Sequence, residues 1–151
     1  MKISKQNIES ARNFLKTLDP STDTFSFYFY HPDGRKPAPP LRGTLDEHFD
    51  EMCTNNDNGF AVYFLVNQNL TTARKAGDIT HVRAILQDDD NGFKGSLPLG
   101  ASTVVETSPG KFQRLLLTKK PILIENGVAE DFTRMMRTMV EKYGNDKACI
   151  D

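Results

Sequence analysis

The sequence predicts an α+β fold built on a mainly antiparallel sheet. Three observations support this class: helical periodicity at both ends of the chain, strand-like segments between them, and turn residues that separate successive strands. The 151 residues, with 38% hydrophobic and 26% charged side chains, suffice for one ordinary domain with a buried core. We therefore expect a single domain over residues 1–151.

The first part of the chain predicts a helix, a strand and a second helix. Apolar residues recur at helical spacing over 4–18, before an Asp-Pro pair that ends the helix. Phenylalanines alternate with Ser and Tyr over 25–30, which is typical of a strand. A short helix is expected over 44–53, because Thr44 and Glu47 stand at capping-box spacing.

The second part predicts four strands and a final helix. The continuous apolar run 60–67 is typical of a buried central strand, and 81–89 is a second strand. A Ser-Pro-Gly turn joins the predicted strands 102–108 and 111–118. Helical spacing of apolar residues over 128–143, followed by a glycine, predicts the last helix and its C-terminal cap.

Three consecutive carboxylates end the predicted strand 81–89. Side chains alternate along a strand, so Asp88 and Asp90 are expected on one side and Asp89 on the other. Two neighbouring carboxylates repel unless a cation such as Mg²⁺ or Mn²⁺ lies between them, and such a pair is the minimal scaffold for two-metal phosphoryl transfer. The structural alternative is a solvated acidic turn leading into Asn91-Gly92.

The turn between the two later strands is a second candidate for phosphate chemistry. Ser108, the backbone amides of the turn and Lys111 offer a hydroxyl, N–H donors and a cation between two strands. These groups predict a phosphate cradle. An ordinary tight hairpin is the alternative.

In order and spacing, four segments resemble the RepB-like primase family of the archaeo-eukaryotic primase superfamily, found in plasmid, phage and mobile-element replication proteins. They are GFAVYFLVNQ, HVRAILQDDDNG, VVETSPGKFQ and EKYGNDKACID, and the likeness covers residues 59–151. It implies an RRM-like core over 59–151, with helices on one face of the sheet, and an N-terminal α/β extension over 1–58. It also implies metal-dependent joining of nucleotides on a single-stranded DNA template.

The resemblance assigns roles by position. Carboxylates stand at the metal-binding positions: Asp88, Asp90 and Asp146, with Asp151 as the alternative third ligand. The residues that would hold a nucleoside triphosphate lie in the hairpin segment: Ser108, Lys111 and Gln113. Gln113 stands where other members carry histidine, so it can donate to a phosphate oxygen but cannot titrate.

The family pattern continues beyond the third carboxylate with an Arg-x-x-Arg-x-Pro-Gly run, whereas this sequence stops at Asp151. We expect a truncated or diverged short protein with weak activity on its own. A helicase domain or protein is an expected partner, since one often follows in relatives.

Basic residues near the predicted sheet are candidates for contact with template phosphates, with ordinary solvated side chains as the alternative: Arg74, Lys75 and Arg114. With a net charge of −1, any contact with nucleic acid has to come from such a local patch. Arg83 is expected at the surface, and Tyr28, Tyr30 and Tyr63 are expected in the core rather than stacked on bases.

Two other functions compete with primase activity. One is a non-catalytic RRM-like module that binds single strands or replication partners, and the other is a metal-dependent nuclease that uses the same carboxylates. No segment has the length and apolarity of a membrane span or the pattern of a signal peptide, so a cytoplasmic location without membrane contact is expected.

Overall fold

The structure, a computed structural model, describes residues 8–88, 100–125 and 127–145. The chain forms two compact units, Met1–Arg74 and Lys75–Asp151. Both combine helices with antiparallel strands, so the α+β class is confirmed. The RRM-like arrangement within that class stays a prediction.

The first unit contains α1 (Ile8–Leu18), β1 (Phe25–Tyr30), β2 (Leu41–Gly43), α2 (Leu45–Asp57), β3 (Ala61–Phe64) and β4 (Gln68–Asn69). β1 is the central strand of a three-stranded sheet and pairs antiparallel with β2 on one side and β3 on the other. Its predicted alternation is confirmed, because Phe25, Phe27 and Phe29 are all buried.

The core of the first unit lies between the phenylalanine side of the sheet and the two helices. The ring of Phe14 on α1 meets that of Phe64 on β3 edge to face, with centroids 5.3 Å apart. The other apolar side chains buried in α1 and α2 are Leu15, Leu18, Leu45, Phe49 and Met52. Burial of apolar area of this kind is the main favourable contribution to folding.

A capping box begins α2, as the sequence predicts. Thr44 Oγ1 accepts the backbone N–H of Glu47 at 3.2 Å, and the Glu47 carboxylate accepts the backbone N–H of Thr44 at 2.8 Å. The hydrogen bond from the Thr44 backbone N–H to the carboxylate, and after it one from the Thr44 side chain, favour the charged form and lower the pKa of Glu47. The helix continues to Asp57, four residues beyond its predicted end, and the side chains of Thr54 and Asn55 donate to carbonyls one turn back in this extension.

Two expectations for the strands of this unit are wrong. β3 is an edge strand rather than a central one, and none of its residues is fully buried. Tyr30 and Tyr63 lie at the surface rather than in the core. An apolar run alone does not distinguish a central strand from an edge strand, because the order of strands is decided by pairing between distant segments.

The second unit contains a 3₁₀ turn (Ala76–Asp78), β5 (Ile79–Asp88), β6 (Thr103–Ser108), β7 (Lys111–Leu123) and α3 (Val128–Tyr143). β7 lies between β5 and β6 and is antiparallel to both. Among the described residues of this unit, the buried apolar side chains are Val82, Ala84, Leu115, Met136 and Met139. In the described ranges, every helix is too short or too polar to cross a lipid bilayer.

The prediction that Arg83 on β5 lies at the surface is wrong, because this residue is only 2% exposed. The register of β5 against β7 shifts between Val82 and Ala84. Such a bulge interrupts the alternation of side chains, and the three consecutive residues Val82, Arg83 and Ala84 are all buried.

Candidate functional site

The candidate site lies where β5 ends beside the start of β7. Asp88, the last residue of β5, is directly opposite Gln113 on β7. The Gln113 amide Nε2 donates to Asp88 Oδ2 at 2.7 Å. Two residues from separate segments, which the family resemblance assigns to one site, are therefore in direct contact.

Asn145 holds the backbone of β5 on the other edge of the same strand. Its Oδ1 accepts the Asp88 N–H at 2.6 Å, and its Nδ2 donates to the Leu86 carbonyl at 2.9 Å. One side-chain amide thus forms the two hydrogen bonds, one accepted and one donated, that the backbone of a neighbouring strand would form. The sequence prediction missed this residue.

The end of α3 brings Asn145 to this position. Gly144 has the left-handed conformation, with φ of 70°, and its N–H donates to the Val140 carbonyl at 3.2 Å. The Asn145 N–H also donates to the Met139 carbonyl at 3.3 Å, and the bond from Gly144 to the carbonyl four residues earlier is the one that defines an αL cap. The available signal was the Gly-Asn pair that follows a helical pattern, since the glycine redirects the chain and the asparagine can bond to backbone.

The Asn145 contact also explains why Asp88 and Gln113 meet. The N–H of Asp88 points toward Asn145 and away from β7. Asp88 and Gln113 therefore form a non-hydrogen-bonded pair of the antiparallel ladder, the kind in which opposite side chains approach more closely.

Lys111 and Ser108 lie on the same side of the sheet as Asp88 and Gln113. Lys111 precedes Gln113 by two residues on β7, about 6.6 Å along a strand, and Ser108 is paired with Lys111 across the turn. Both are exposed. The three residues predicted to hold a triphosphate therefore share one side of the sheet with one predicted metal ligand.

One part of the predicted phosphate cradle is already occupied. The N–H of Gly110, at the tip of the turn, donates to Glu106 Oε1 at 3.0 Å. The prediction that the backbone N–H groups of the turn are available to a phosphate is therefore wrong for Gly110. The side chains of Ser108, Lys111 and Gln113 thus carry the candidate site.

Arg114 lies on the opposite side of the sheet. Its guanidinium donates to Oε1 of the buried Gln87 at 2.9 Å and lies 5.8 Å from the Phe112 ring centre. Since neighbouring residues on a strand point in opposite directions, Arg114 is directed away from the Asp88 carboxylate.

The other two residues predicted to contact the template, Arg74 and Lys75, are the last residue of the first unit and the first residue of the second unit in the sequence. Arg74 belongs to the first unit, where its guanidinium lies 5.6 Å from the ring centre of Tyr28. Lys75 belongs to the second unit and donates its backbone N–H to Asp78 Oδ2 at 3.0 Å. Its side chain is exposed.

Asp88 is the one predicted metal ligand that falls within 8–88, 100–125 and 127–145. The other predicted ligands, Asp90, Asp146 and the alternative Asp151, lie outside the described residues. Inside them, no group of three or more His, Cys, Asp or Glu side chains could hold a metal ion. Asp88 offers one carboxylate of the kind that Mg²⁺ binds, and Gln113 Nε2 donates to its Oδ2.

Comparison with known proteins found no match among family models, curated proteins or solved structures. The resemblance to RepB-like primases accordingly stays a prediction based on the four sequence segments.

Proposed function

We propose that this chain is the catalytic domain of a DNA primase or primase-polymerase, which joins nucleotides on single-stranded DNA in plasmid or phage replication. The observation that supports the proposal most directly is the contact between Asp88 and Gln113, on the side of the sheet that also carries Lys111 and Ser108. This side of the sheet therefore combines a carboxylate that could bind a metal ion, an amide donor, a cation and a hydroxyl.

Asp88, Asp90 and Asp146 would hold Mg²⁺ or Mn²⁺, with Asp151 as the alternative third ligand. When bound, such ions lower the pKa of an attacking 3′-hydroxyl and stabilise negative charge on the phosphates. The hydrogen bond from Gln113 would keep the Asp88 carboxylate in one orientation, as outer partners of metal ligands do.

The hairpin would bind the incoming nucleoside triphosphate. A glutamine amide has two N–H donors, and Gln113 uses one on Asp88, so the other can donate to a phosphate oxygen. Lys111 adds a full positive charge on the same side of the sheet, and Ser108 adds a hydroxyl. This arrangement supports binding of a triphosphate beside the metal.

Asn145 supports the assignment of the third carboxylate. It is bonded to the backbone of both Leu86 and Asp88, and it directly precedes Asp146 in the sequence. The end of α3 is thus fixed at the end of β5. We assign Asn145 as a positioning residue that holds the Asp88 backbone.

The proposal can be tested by incubating the full chain with a single-stranded DNA template, labelled nucleoside triphosphates and Mn²⁺ or Mg²⁺. Extension products that disappear with EDTA are expected. Shortening of the template under the same conditions would instead select the nuclease alternative. Template binding without extension or cleavage would select the non-catalytic module.

Replacement of Gln113 separates its hydrogen bonding from its shape. Gln113→Leu should lower incorporation by about 10- to 100-fold, the usual effect of removing a partner of a metal ligand. Gln113→His keeps a donor and should retain more activity. It should also introduce a pH dependence near about 6.5, since imidazole titrates there and glutamine does not.

The measurement is the rate of incorporation between pH 5.5 and about 8.5, at saturating metal, for wild type and both variants. Circular dichroism checks that the fold is kept. Wild-type rates for Gln113→Leu at every pH would contradict the role of this residue.

A further inference from the structure

The sheet of the first unit has two different sides. Phenylalanines of β1 occupy the buried side, whereas Tyr28 and Tyr30 occupy the other, and Tyr63 on β3 lies directly opposite Tyr28. Tyr30 is 55% exposed and Tyr63 is 52% exposed. Their rings contact each other edge to face, with centroids 6.3 Å apart. We call these three residues, with Arg42 and Arg74, the tyrosine face.

The tyrosine face is cationic as well as aromatic. The guanidinium of Arg74 lies over the ring of Tyr28, and Arg42 on β2 is paired with Ser26 on the same side of the sheet. No carboxylate stands at the described paired positions on this side, which are Ser26, Arg42, Tyr28, Tyr63, Tyr30 and Ala61.

Arg74 is held in this place by a network built on the buried Asn69. The Asn69 amide accepts from the Ser26 hydroxyl at 2.9 Å and donates to the Tyr28 hydroxyl at 3.3 Å and to the Ala73 carbonyl. The Tyr28 hydroxyl in turn donates to the Thr72 carbonyl at 3.2 Å. The segment that leads to Arg74 is thereby tied to the sheet, so the arginine is preorganised over the aromatic ring.

We infer that the tyrosine face binds a single strand of nucleic acid. Bases stack on the exposed rings of Tyr30 and Tyr63, and phosphates meet Arg42 and Arg74. Exposed aromatic rings beside cations are the combination that binds single strands without reading sequence. Two arginines, with no carboxylate at the described paired positions on this side, favour a polyanion as the occupant.

This inference does not depend on nucleotidyl transfer, since every residue of the tyrosine face belongs to the first unit and Asp88 belongs to the second. If the proposed function is correct, the tyrosine face supplies a template contact remote in sequence from the carboxylates. If it is not, the surface still binds single strands.

Binding of a fluorescein-labelled thymidine oligonucleotide to the full chain, measured by anisotropy at low salt, tests the inference. The chain has no tryptophan, so quenching of tyrosine emission by the unlabelled oligonucleotide provides a second readout. Tyr30→Ala and Tyr63→Ala should each weaken binding by about 5- to 150-fold, the range found for loss of one base stack. Tyr30→Phe and Tyr63→Phe should bind nearly as wild type, because phenylalanine keeps the ring.

Leu70→Ala is the matched control, since Leu70 is an exposed apolar residue of the same unit outside the tyrosine face, and it should not change binding. Arg74→Gln should reduce the slope of log K against log salt by about 0.7, corresponding to one phosphate contact. Wild-type affinity in both alanine variants, or absence of binding by wild type at low salt, overturns the inference.

The same preparations distinguish this inference from the proposed function. Metal-dependent extension together with unchanged binding by the tyrosine variants would support the proposed primase function and contradict single-strand binding at the tyrosine face. Absence of extension together with weakened binding by Tyr30→Ala and Tyr63→Ala would do the reverse.

Discussion

Asp88→Asn is expected to lower metal-dependent nucleotide incorporation by more than about 100-fold. A metal ion bound to this carboxylate would stabilise the charge of the transition state by several kcal/mol. Each 1.36 kcal/mol in the activation free energy corresponds to about tenfold in rate. Asparagine keeps the shape of the side chain and one oxygen that can accept from Gln113, so the fold should be retained. The measurement is the initial rate of labelled-nucleotide incorporation on single-stranded DNA with Mn²⁺.

Asp131→Asn provides the matched control for this variant. Asp131 lies in the first turn of α3, and Asn145, which contacts Asp88, follows the last turn of the same 16-residue helix. At about 1.5 Å per residue, roughly 20 Å of helix separates them. The control should keep the wild-type rate. Equal rates in wild type and Asp88→Asn would remove Asp88 from the metal site.

Leu115→Ala is expected to lower the free energy of unfolding of the second unit by about 2–5 kcal/mol. Leu115 is 1% exposed and stands on β7, opposite Leu86 on one side and Thr103 on the other. Truncation removes buried apolar area and leaves a cavity that the flanking strands, held by their ladders, can fill only in part. Urea denaturation followed by circular dichroism measures the loss.

Leu123→Ala makes the same chemical change on the same strand at an exposed position. Leu123 is 47% exposed and pairs with His81 near the other end of β5. Because helix and strand propensities change equally in the two variants, the difference between them reports burial. The expected cost for Leu123→Ala is below about 1 kcal/mol. Similar losses in both variants would show that Leu115 is not part of the core.

Local chemistry was sufficient to predict most elements of the chain. Thr44 and Glu47 predict the start of α2 because both partners of the capping box lie within one turn. The Ser-Pro-Gly turn predicts the hairpin of β6 and β7 for the same reason, since Gly110, with φ of 77°, supplies the conformation that the turn needs. Each of these signals is contained in a few neighbouring residues.

The candidate site could be predicted in part. D-x-D spacing predicts Asp88, the turn predicts Lys111, and the family resemblance adds Gln113; the structure brings Asp88 and Gln113 into contact. Asn145 was missed because its partners are the backbone atoms of a strand 57 and 59 residues earlier. Every residue carries the same backbone N–H and carbonyl groups, so a contact with backbone atoms cannot be recognised from the types of residue in the sequence.

The positions of Arg83 and of the tyrosine face show the same limit in another form. Strand periodicity assigns side chains to alternate sides, but the bulge beside Arg83 and the edge position of β3 arise from pairing with distant strands. The sequence by itself determined which segments become helices, strands and turns, because those choices depend on local propensity and side-chain period. Only the tertiary structure decided which strand is central, which tyrosines face solvent and which residue holds Asp88, because these depend on contacts between residues far apart along the chain.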